Sequence, residues 1–515
     1  MGDEPLLLGI DLGTTNIKAI VFAPDGAIVA SASAPTPTQF PRPGWAYYEP
    51  DAVWTTVVGL LRAVTARCDA AAIASIAMAS IGESGVPVDE RGRPTYPAIA
   101  WFDGRTEPQS RWLAEHIGPE QLFRSTGLPL ESIYSLCKLL WLRDNEPDVL
   151  ARTRHWLYMA DYVAYRLSGV AATDYSLASR TLMLDLHRLC WNVDLLDAVG
   201  VPARIMAPLV ASGTALGTVL PEVARQTGLP PHTVVAAGGH DHVCGAFAMG
   251  VTSPGAMLNS LGTAEAIFLP LTHPLADPMM GAQGYSQGAH VTGGYYTFGG
   301  QYTSGACIDW FRSALGAGVG YDEIVQEAAA VPPGSLGVVF LPHLRLANAP
   351  YVDPKSRGAF VGLSTDATRG VLFRAVLEGI ALEARHSLEP LMRYVGLDTL
   401  HTVYAIGGVT RNRLQMQIRA AILNRTIQIV SIDEATTLGA AMLGGIGAGV
   451  YASTADAIAH IRFTSTAIDP DPAMAAIYDR IFREVYRQYY PAVRPLSHRI
   501  YAIQHSQPDG ERNEP

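Results

Sequence analysis

The chain has 515 residues, 49% of them hydrophobic and only 16% charged, with 37 Lys+Arg against 47 Asp+Glu. That length accommodates about two to four domains with filled cores, and so little charge excludes an extended disordered chain. A net charge of −10 argues against nucleic acid as a partner, since proteins that bind phosphate backbones carry a basic face.

The opening residues pattern as strand, turn, strand, turn, strand. Leu6 to Asp11 is an apolar run ending in a carboxylate, Gly13-Thr14-Thr15-Asn16 is turn chemistry, and Ile17 to Phe22 is apolar again. Pro24-Asp25-Gly26 turns the chain once more and Ala27 to Ala34 returns. Helical and strand patterns then alternate to about residue 230, with a helix over Val53 to Ala66, a buried strand over Ile73 to Ser80 and a helix through Lys138 to Arg143. Near mid-chain the opening pattern recurs. Thr233 to Ala237 runs into Gly238-Gly239-His240-Asp241-His242, and Ala256 to Ser260, Gly262-Thr263 and Ala264 to Leu269 repeat strand, Gly-Thr turn and strand. Two such units about half a chain apart suggest two related halves around one cleft. The second half closes with a strand over Thr402 to Ile406, a Gly407-Gly408 turn, a helix over Arg411 to Leu423, a strand over Ile427 to Val430 and a small-residue helix over Thr437 to Gly449. Residues 496–515 read as a loose polar tail.

Cys68, Cys137, Cys190, Cys244 and Cys307 are far apart, so no CxxC pair offers a zinc or redox site, and the set fits thiols in a reducing cytoplasm. No basic segment precedes the first apolar run, as a signal peptide requires. The weakly polar stretches 70–82 and 438–453 fall short of the ~18–20 apolar residues of a membrane helix.

Two segments carry chemistry, and a third only superficially resembles a cofactor motif. In Asp11-Leu12-Gly13-Thr14-Thr15-Asn16-Ile17-Lys18 a glycine permits close backbone approach to phosphate, two hydroxyls and Lys18 add donors, and Asp11 can hold a hydrated Mg²⁺. It is not a Walker loop, because GxxxxGK[ST] is absent and a strand follows. Gly239-His240-Asp241-His242 sits where a strand ends, a place for catalytic groups, and Asp241 can accept a hydroxyl proton. The flanking histidines raise a metal reading that lacks a third ligand in sequence, so His242 is expected to face a substrate hydroxyl and His240 to be structural. Gly444-Gly445-Ile446-Gly447-Ala448-Gly449 does not fit GxGxxG and lies in a helical pattern, which argues against a nicotinamide enzyme.

In order, the chain carries Asp11-Leu12-Gly13-Thr14-Thr15, Trp101-Phe102-Asp103-Gly104-Arg105, Ser135-Leu136-Cys137-Lys138-Leu139-Leu140-Trp141 and Thr173-Asp174-Tyr175-Ser176-Leu177-Ala178-Ser179-Arg180-Thr181. The mid-chain Gly-Gly-His-Asp-His, Ser260-Leu261-Gly262-Thr263, Gly305 with Trp310, Gly407-Gly408-Val409-Thr410-Arg411-Asn412 and Leu438-Gly439-Ala440-Ala441 follow. This ordered set, spanning roughly residues 6 to 490, resembles the FGGY carbohydrate kinases, relatives of actin and of heat-shock chaperone ATPases by fold. The resemblance implies two actin-like (ribonuclease H-like) α/β domains, 1–245 and 246–495, with a cleft between them that closes over ATP and a small polyol or ketose. It implies Asp241 as catalytic base and Asp11 as the Mg²⁺-associated carboxylate. It sets Gly13, Thr14, Thr15 and Lys18 against the terminal phosphates with Gly262 and Thr263 opposite, and gives Gly305, Gly408 and Asn412 to the nucleotide. Gly82, Glu83, Asp241 and His242 would contact the sugar. Homodimers are frequent in the family; nothing in this sequence marks an interface.

The departures concern the acceptor. Xylulokinases usually carry Met-His-Gly where this chain has Gly82-Glu83-Ser84. Glycerol kinases carry Arg-Glu there and a tyrosine where Ile133 stands, so Glu83 matches while Gly82 and Ile133 do not. After the base, xylulokinases commonly have Asn and glycerol kinases Gln, where this chain has His242. The expectation is a cytoplasmic, ATP-dependent sugar kinase with xylulose as first substrate, ahead of ribulose, fuculose, erythritol or glycerol. An actin-like ATPase with a chaperone or regulatory role is the reading from another class, against which no peptide-binding or basic DNA-binding segment stands out.

Overall fold

The computed structural model describes residues 4–432 and 434–505. Two mixed sheets carry the architecture. The first is built from β1 (Leu6–Leu12), β2 (Asn16–Phe22), β3 (Ile28–Pro35), β4 (Ile73–Ser80), β5 (Ala215–Thr218) and β6 (Val234–His240), in the order β5-β6-β4-β1-β2-β3. The second is built from β7 (Ala256–Leu261), β8 (Glu265–Leu271), β9 (Ser286–Ala289), β10 (Tyr295–Gln301), β11 (Thr402–Ile406), β12 (Ile427–Ser431) and β13 (Thr464–Ile468), in the order β9-β10-β8-β7-β11-β12-β13.

The two sheets share one plan. In each, three antiparallel strands (β3-β2-β1 and β10-β8-β7) are followed by a parallel partner of the third (β4; β11), a further strand parallel to that one (β6; β12), and an antiparallel strand paired with the last (β5; β13). The repeat inferred from the two Gly-Thr turns is therefore a repeat of topology. Residue types follow position. β1, with sheet neighbours on both sides, is almost wholly buried, whereas β3 at the edge exposes most of its residues. Pro24-Asp25-Gly26 turns β2 into β3 with Gly26 at φ 89°, a conformation that favours glycine.

The helices that matter for the site are α1 (Pro50–Thr65), α2 (Ser135–Asn145), α3 (Asp241–Ala248), α4 (Gly305–Ala314), α5 (Arg413–Leu423), α6 (Ala435–Gly447) and α7 (Arg487–His505). The Ala/Gly composition of α6 is explained by where it lies. Although it follows the second sheet's β12 in sequence, it packs on β1, β4 and β6 of the first and crosses α3. A Cβ on Gly439 would meet the Cys244 carbonyl oxygen at 2.0 Å, and one on Gly9 would meet the Thr437 oxygen at 2.1 Å. Leu7, Ile20 and Phe22 share one buried cluster with Val243, Phe247, Leu438 and Met442. α3 and α6 thus sit in the joint between the halves.

Two expectations are corrected. The helix read from Arg411 begins at Arg413, because Asn412 caps it by accepting from the Gln415 N–H at 3.1 Å while Gly408–Arg411 forms a short 3₁₀ turn. The segment read as a loose tail from 496 instead lies within α7 as far as His505, with Ser497 buried; its remainder, 506–515, lies outside the described residues. Among the described residues no helix is long and apolar enough to cross a membrane.

Candidate active site

The carboxyl ends of the parallel strands β1, β4 and β6 form one rim of the cleft, where open α/β sheets place their ligands. Asp11 and Gly239 both register with Ala79, so the end of β1 and the Gly-Gly-His-Asp run stand level across β4. Asp11 Oδ1 is buried with no hydrogen-bond partner. Burial, then the negative charge of Asp241, pushes its pKa up to about 7 against the opposing pull of Lys18. Lys18 faces Asp11 across β1–β2, and its ammonium donates to both Glu434 oxygens, at 2.9 and 2.8 Å. That pair ties the first sheet to the residue just ahead of α6. In the turn, the Gly13 N–H donates to the Asn16 oxygen at 3.1 Å, and the Gly13 oxygen accepts from Thr36 Oγ1 at 2.7 Å. Thr14 Oγ1 accepts from the Trp101 indole at 2.9 Å, and Thr15 is exposed.

Asp241 opens α3. Its Oδ1 accepts the His242 backbone N–H at 2.6 Å and lies 3.1 Å from His242 Nδ1 and 3.4 Å from His240 Nε2. Burial alone would raise the carboxyl pKa, but the two imidazoles and these hydrogen bonds outweigh it and hold Asp241 well below the usual carboxylate range. Burial pushes the His240 pKa down to about 4. In His242 the charge of Asp241 overcomes burial and raises it. The His240 main chain donates to Ser176 Oγ at 2.8 Å, which itself donates to Asp174 at 2.7 Å, and the His242 ring lies 5.5 Å from that of Phe298 in β10. Residues of both sheets therefore meet around Asp241.

Glu83 lies beside this group, 5% exposed and at φ 61°. A non-glycine residue holds that conformation only when its surroundings impose it. Here α2 does so: Ser135 Oγ and Lys138 Nζ both donate to the Glu83 carbonyl oxygen at 2.9 Å, and Lys138 also donates to the Ile133 oxygen at 2.7 Å. The Glu83 carboxylate accepts from Arg180 Nε at 2.8 Å, and the guanidinium lies 5.3 Å from the Tyr134 ring centroid. Gly82 has no room for a side chain, since a Cβ would stand 2.9 Å from Arg180 Cβ and 3.1 Å from His240 Cδ2.

The opposite rim comes from the second sheet. The Gly262-Thr263 turn joins β7 to β8, and the start of α4 is seated on it. Gly305 N–H donates to the Gly262 oxygen at 3.0 Å, and Ser304 and Ala306 N–H donate to the Thr263 oxygen at 3.0 and 3.1 Å. A Cβ on Gly305 would fall 2.6 Å from the Gly262 oxygen. Gly407 adopts φ 102° and ψ 172° after β11 and brings the next loop onto Leu261. Gly408 has open space where a side chain would go. Asn412 is buried, and besides capping α5 its amide donates to the Tyr321 hydroxyl at 2.8 Å.

The structure thus gathers Asp11, Gly13, Thr14, Thr15, Lys18, Gly82, Glu83, Asp241 and His242 on one rim, and Gly262, Thr263, Gly305, Gly408 and Asn412 on loops at the carboxyl ends of the second sheet's central strands. Sequence reasoning did not identify Arg180, Glu434 or the pair Glu265–Arg419 as site residues. Glu265, the first residue after the Gly262 turn region, accepts from Arg419 at 2.6 and 2.9 Å, from Gln301 at 2.8 Å and from Ser304 at 3.2 Å, with both charged side chains fully buried. The only signal for these residues is the presence of Arg180 in the Thr173–Thr181 run; Glu265, Arg419 and Glu434 stand outside every motif singled out above.

Comparison with known proteins identifies the family. Residues 6–248 match the N-terminal domain, and 257–448 the C-terminal domain, of the FGGY family of carbohydrate kinases. The chain is 31% identical over 493 residues to a xylulose kinase of Bacillus subtilis (strain 168), covering 95% of this chain and 98% of that one. It is 31% identical over 461 residues to a glycerol kinase of Gloeobacter violaceus, covering 88% and 90%. The crystal structure of a xylulose kinase from Rhodospirillum rubrum superposes with a TM-score of 0.88 at 30% identity, over 96% of this chain and all of that one. With both family domains matched along the chain, the protein belongs to the FGGY family and is a carbohydrate kinase.

Proposed function

We propose that the protein transfers the γ-phosphoryl group of Mg-ATP to a hydroxyl of a small ketose or polyol, with xylulose the first acceptor to test and Asp241 the general base. The observation that carries this reading is the placement of Asp241: a carboxylate kept ionised between two imidazoles at the start of α3, beside a buried Glu83–Arg180 pair. Phosphoryl transfer has a loose transition state with little bond formation to the nucleophile, so the enzyme mainly positions groups and offsets charge. A low-pKa carboxylate suits this, because it needs to take the hydroxyl proton only as transfer proceeds, a contribution on the order of 10²–10⁴-fold. Glu83 and Arg180 would fix the acceptor's other oxygens through charge-assisted hydrogen bonds.

Asp11 fits a divalent cation: its Oδ1 is buried, has no protein partner and carries a raised pKa that a neighbouring cation would lower. Mg²⁺ held there would offset charge on the phosphate oxygens. The backbone and hydroxyls of Gly13, Thr14 and Thr15 face the terminal phosphates in this reading. Lys18 joins them while shared with Glu434, and Gly262, Thr263, Gly305, Gly408 and Asn412 line the nucleotide side. Asn412 acts chiefly through the loop it anchors, since its side chain is already committed.

A polyol such as glycerol is the second reading, favoured by Glu83 and by Arg180. That arginine reaches Glu83 from 97 positions along the chain and supplies a guanidinium where Gly82 cannot. The test is ADP release from Mg-ATP across a panel of ketoses, polyols and sugar acids, with Asp241→Ala as the blank. One acceptor with strong, Asp241-dependent turnover supports the kinase reading and names the substrate. ADP release that no acceptor stimulates would refute it for the whole panel.

A further inference from the structure

The sequence offers two histidines around Asp241 but no third metal ligand; in the structure the intervening carboxylate is that ligand. The backbone passes from extended at His240 (φ −65°, ψ 136°) into α3. This brings the rings of His240 and His242 onto the same side, with centroids 5.6 Å apart. His240 Nε2, Asp241 Oδ1 and His242 Nδ1 all lie within 4.8 Å of one another, and the oxygen is 3.4 and 3.1 Å from the two nitrogens. A tetrahedral zinc with donors at about 2.0–2.1 Å separates its ligands by roughly 3.3 Å. The site is also reachable: the side chain of His242 is 48% exposed and that of Asp241 22%.

We propose that His240, Asp241 and His242 form a binding site for a divalent transition metal of the Zn²⁺ class, and that occupancy inhibits the enzyme. Two imidazole nitrogens and one carboxylate oxygen select Zn²⁺ over Mg²⁺, which takes oxygen donors and keeps its waters. The site is therefore chemically distinct from Asp11, a single carboxylate with Lys18 facing it. Three protein ligands leave a fourth position open towards the cleft. A bound ion takes the lone pair that Asp241 would offer an acceptor hydroxyl and occupies the space of that hydroxyl. The inhibitory part rests on the proposed role of Asp241; the binding part does not.

The test is calorimetric titration of EDTA-treated protein with ZnCl₂ and, separately, MgCl₂, without nucleotide or acceptor. One Zn²⁺ per chain is expected, undisplaced by millimolar Mg²⁺ and weakened at least ~10–100-fold in His242→Gln and in His240→Gln. Cys190 is the exposed cysteine among the five, and Cys190→Ser should leave the titration unchanged. Absence of Zn²⁺ binding to the unmodified chain at 1 mM (~10⁻³ M, the weak limit of specific affinity) overturns the proposal, as does binding that survives both histidine substitutions. Inhibition is read separately, at saturating Mg-ATP. Zn²⁺ should compete with the acceptor, and bound Zn²⁺ without loss of turnover would overturn the inhibitory role while leaving the metal site standing. Because the titration needs no substrate, its failure is distinguishable from failure of the kinase reading.

Discussion

Adjacent glycines in the 407–412 loop should respond in opposite ways to the same added methyl group. Gly407 sits at φ 102° and ψ 172°, a region essentially restricted to glycine, and its Cβ would stand 2.3 Å from the Leu261 oxygen and 2.8 Å from the Leu261 carbon. Strain of that kind costs about 1–3 kcal/mol. The clash adds another ~1–3 kcal/mol, because the obstacle is the backbone of a central strand rather than a side chain that can swing away. Gly407→Ala should therefore lose about 2–6 kcal/mol of stability and lower Tm by roughly 1–2 °C for each kcal/mol in a chain of this length. To restore an ordinary contact the loop must retreat by about 1 Å, a displacement that costs on the order of 10²-fold when it misplaces reacting groups. At Gly408 a Cβ meets nothing within 4 Å, so Gly408→Ala should keep the parent Tm. If Gly408 lines the nucleotide site, the same methyl raises the KM for ATP and leaves the acceptor KM unchanged. Thermal melts and initial-rate kinetics on both variants decide the matter. A silent Gly407→Ala would refute the packing argument, and a Gly408→Ala with unchanged ATP KM would remove Gly408 from the nucleotide site.

Glu265→Ala leaves Arg419 buried without its partner, which costs about 3–5 kcal/mol; a loss below about 1 kcal/mol in denaturant titration would show that the network around the Gly262 turn is not a structural anchor. Glu83→Gln removes the charge that Arg180 holds and should raise the acceptor KM roughly 10–100-fold, the equivalent of one charged hydrogen bond, while ATP KM stays constant; a change confined to ATP would contradict the pocket assignment. His290 is 3% exposed, and burial pushes its pKa from 6.5 down to about 4. Its folded pKa is depressed, so the unfolded chain binds more protons between pH 6.5 and 4. Stability should accordingly fall as the pH drops through that window, by up to ~1.4 kcal/mol per pH unit from this group. His290→Gln should flatten that dependence, and an unaltered pH profile of Tm would rule the contribution out.

The features legible in the sequence are those coded locally. Asp11 to Lys18 patterns as strand, turn and strand because the β1–β2 hairpin is made by neighbours in the chain, and Gly239 to His242 marks a strand-to-helix passage for the same reason. The small-residue character of α6 announced close packing, though not that the packing would be against the first sheet. Pairings between distant residues were not legible: Glu83 with Arg180, Lys18 with Glu434 416 positions away, and Glu265 with Arg419 154 away. Each member is an ordinary charged residue in its own segment and gains meaning only from the topology. The last helix was missed for a different reason. Pro491 and Pro495 lie inside α7, and local rules end a helix at proline; burial of Tyr489, Tyr490 and Ser497 accompanies its continuation.

The claim on which the account turns is that Asp241 takes the acceptor's proton, and Asp241→Asn tests it most directly. The amide keeps the shape of the carboxylate and can still accept the His242 N–H, so the fold and the ATP KM should be preserved. Turnover with the best acceptor should fall by about 10²–10⁴-fold. A variant that melts like the parent and retains nearly full kcat would contradict the assignment of Asp241 as the base.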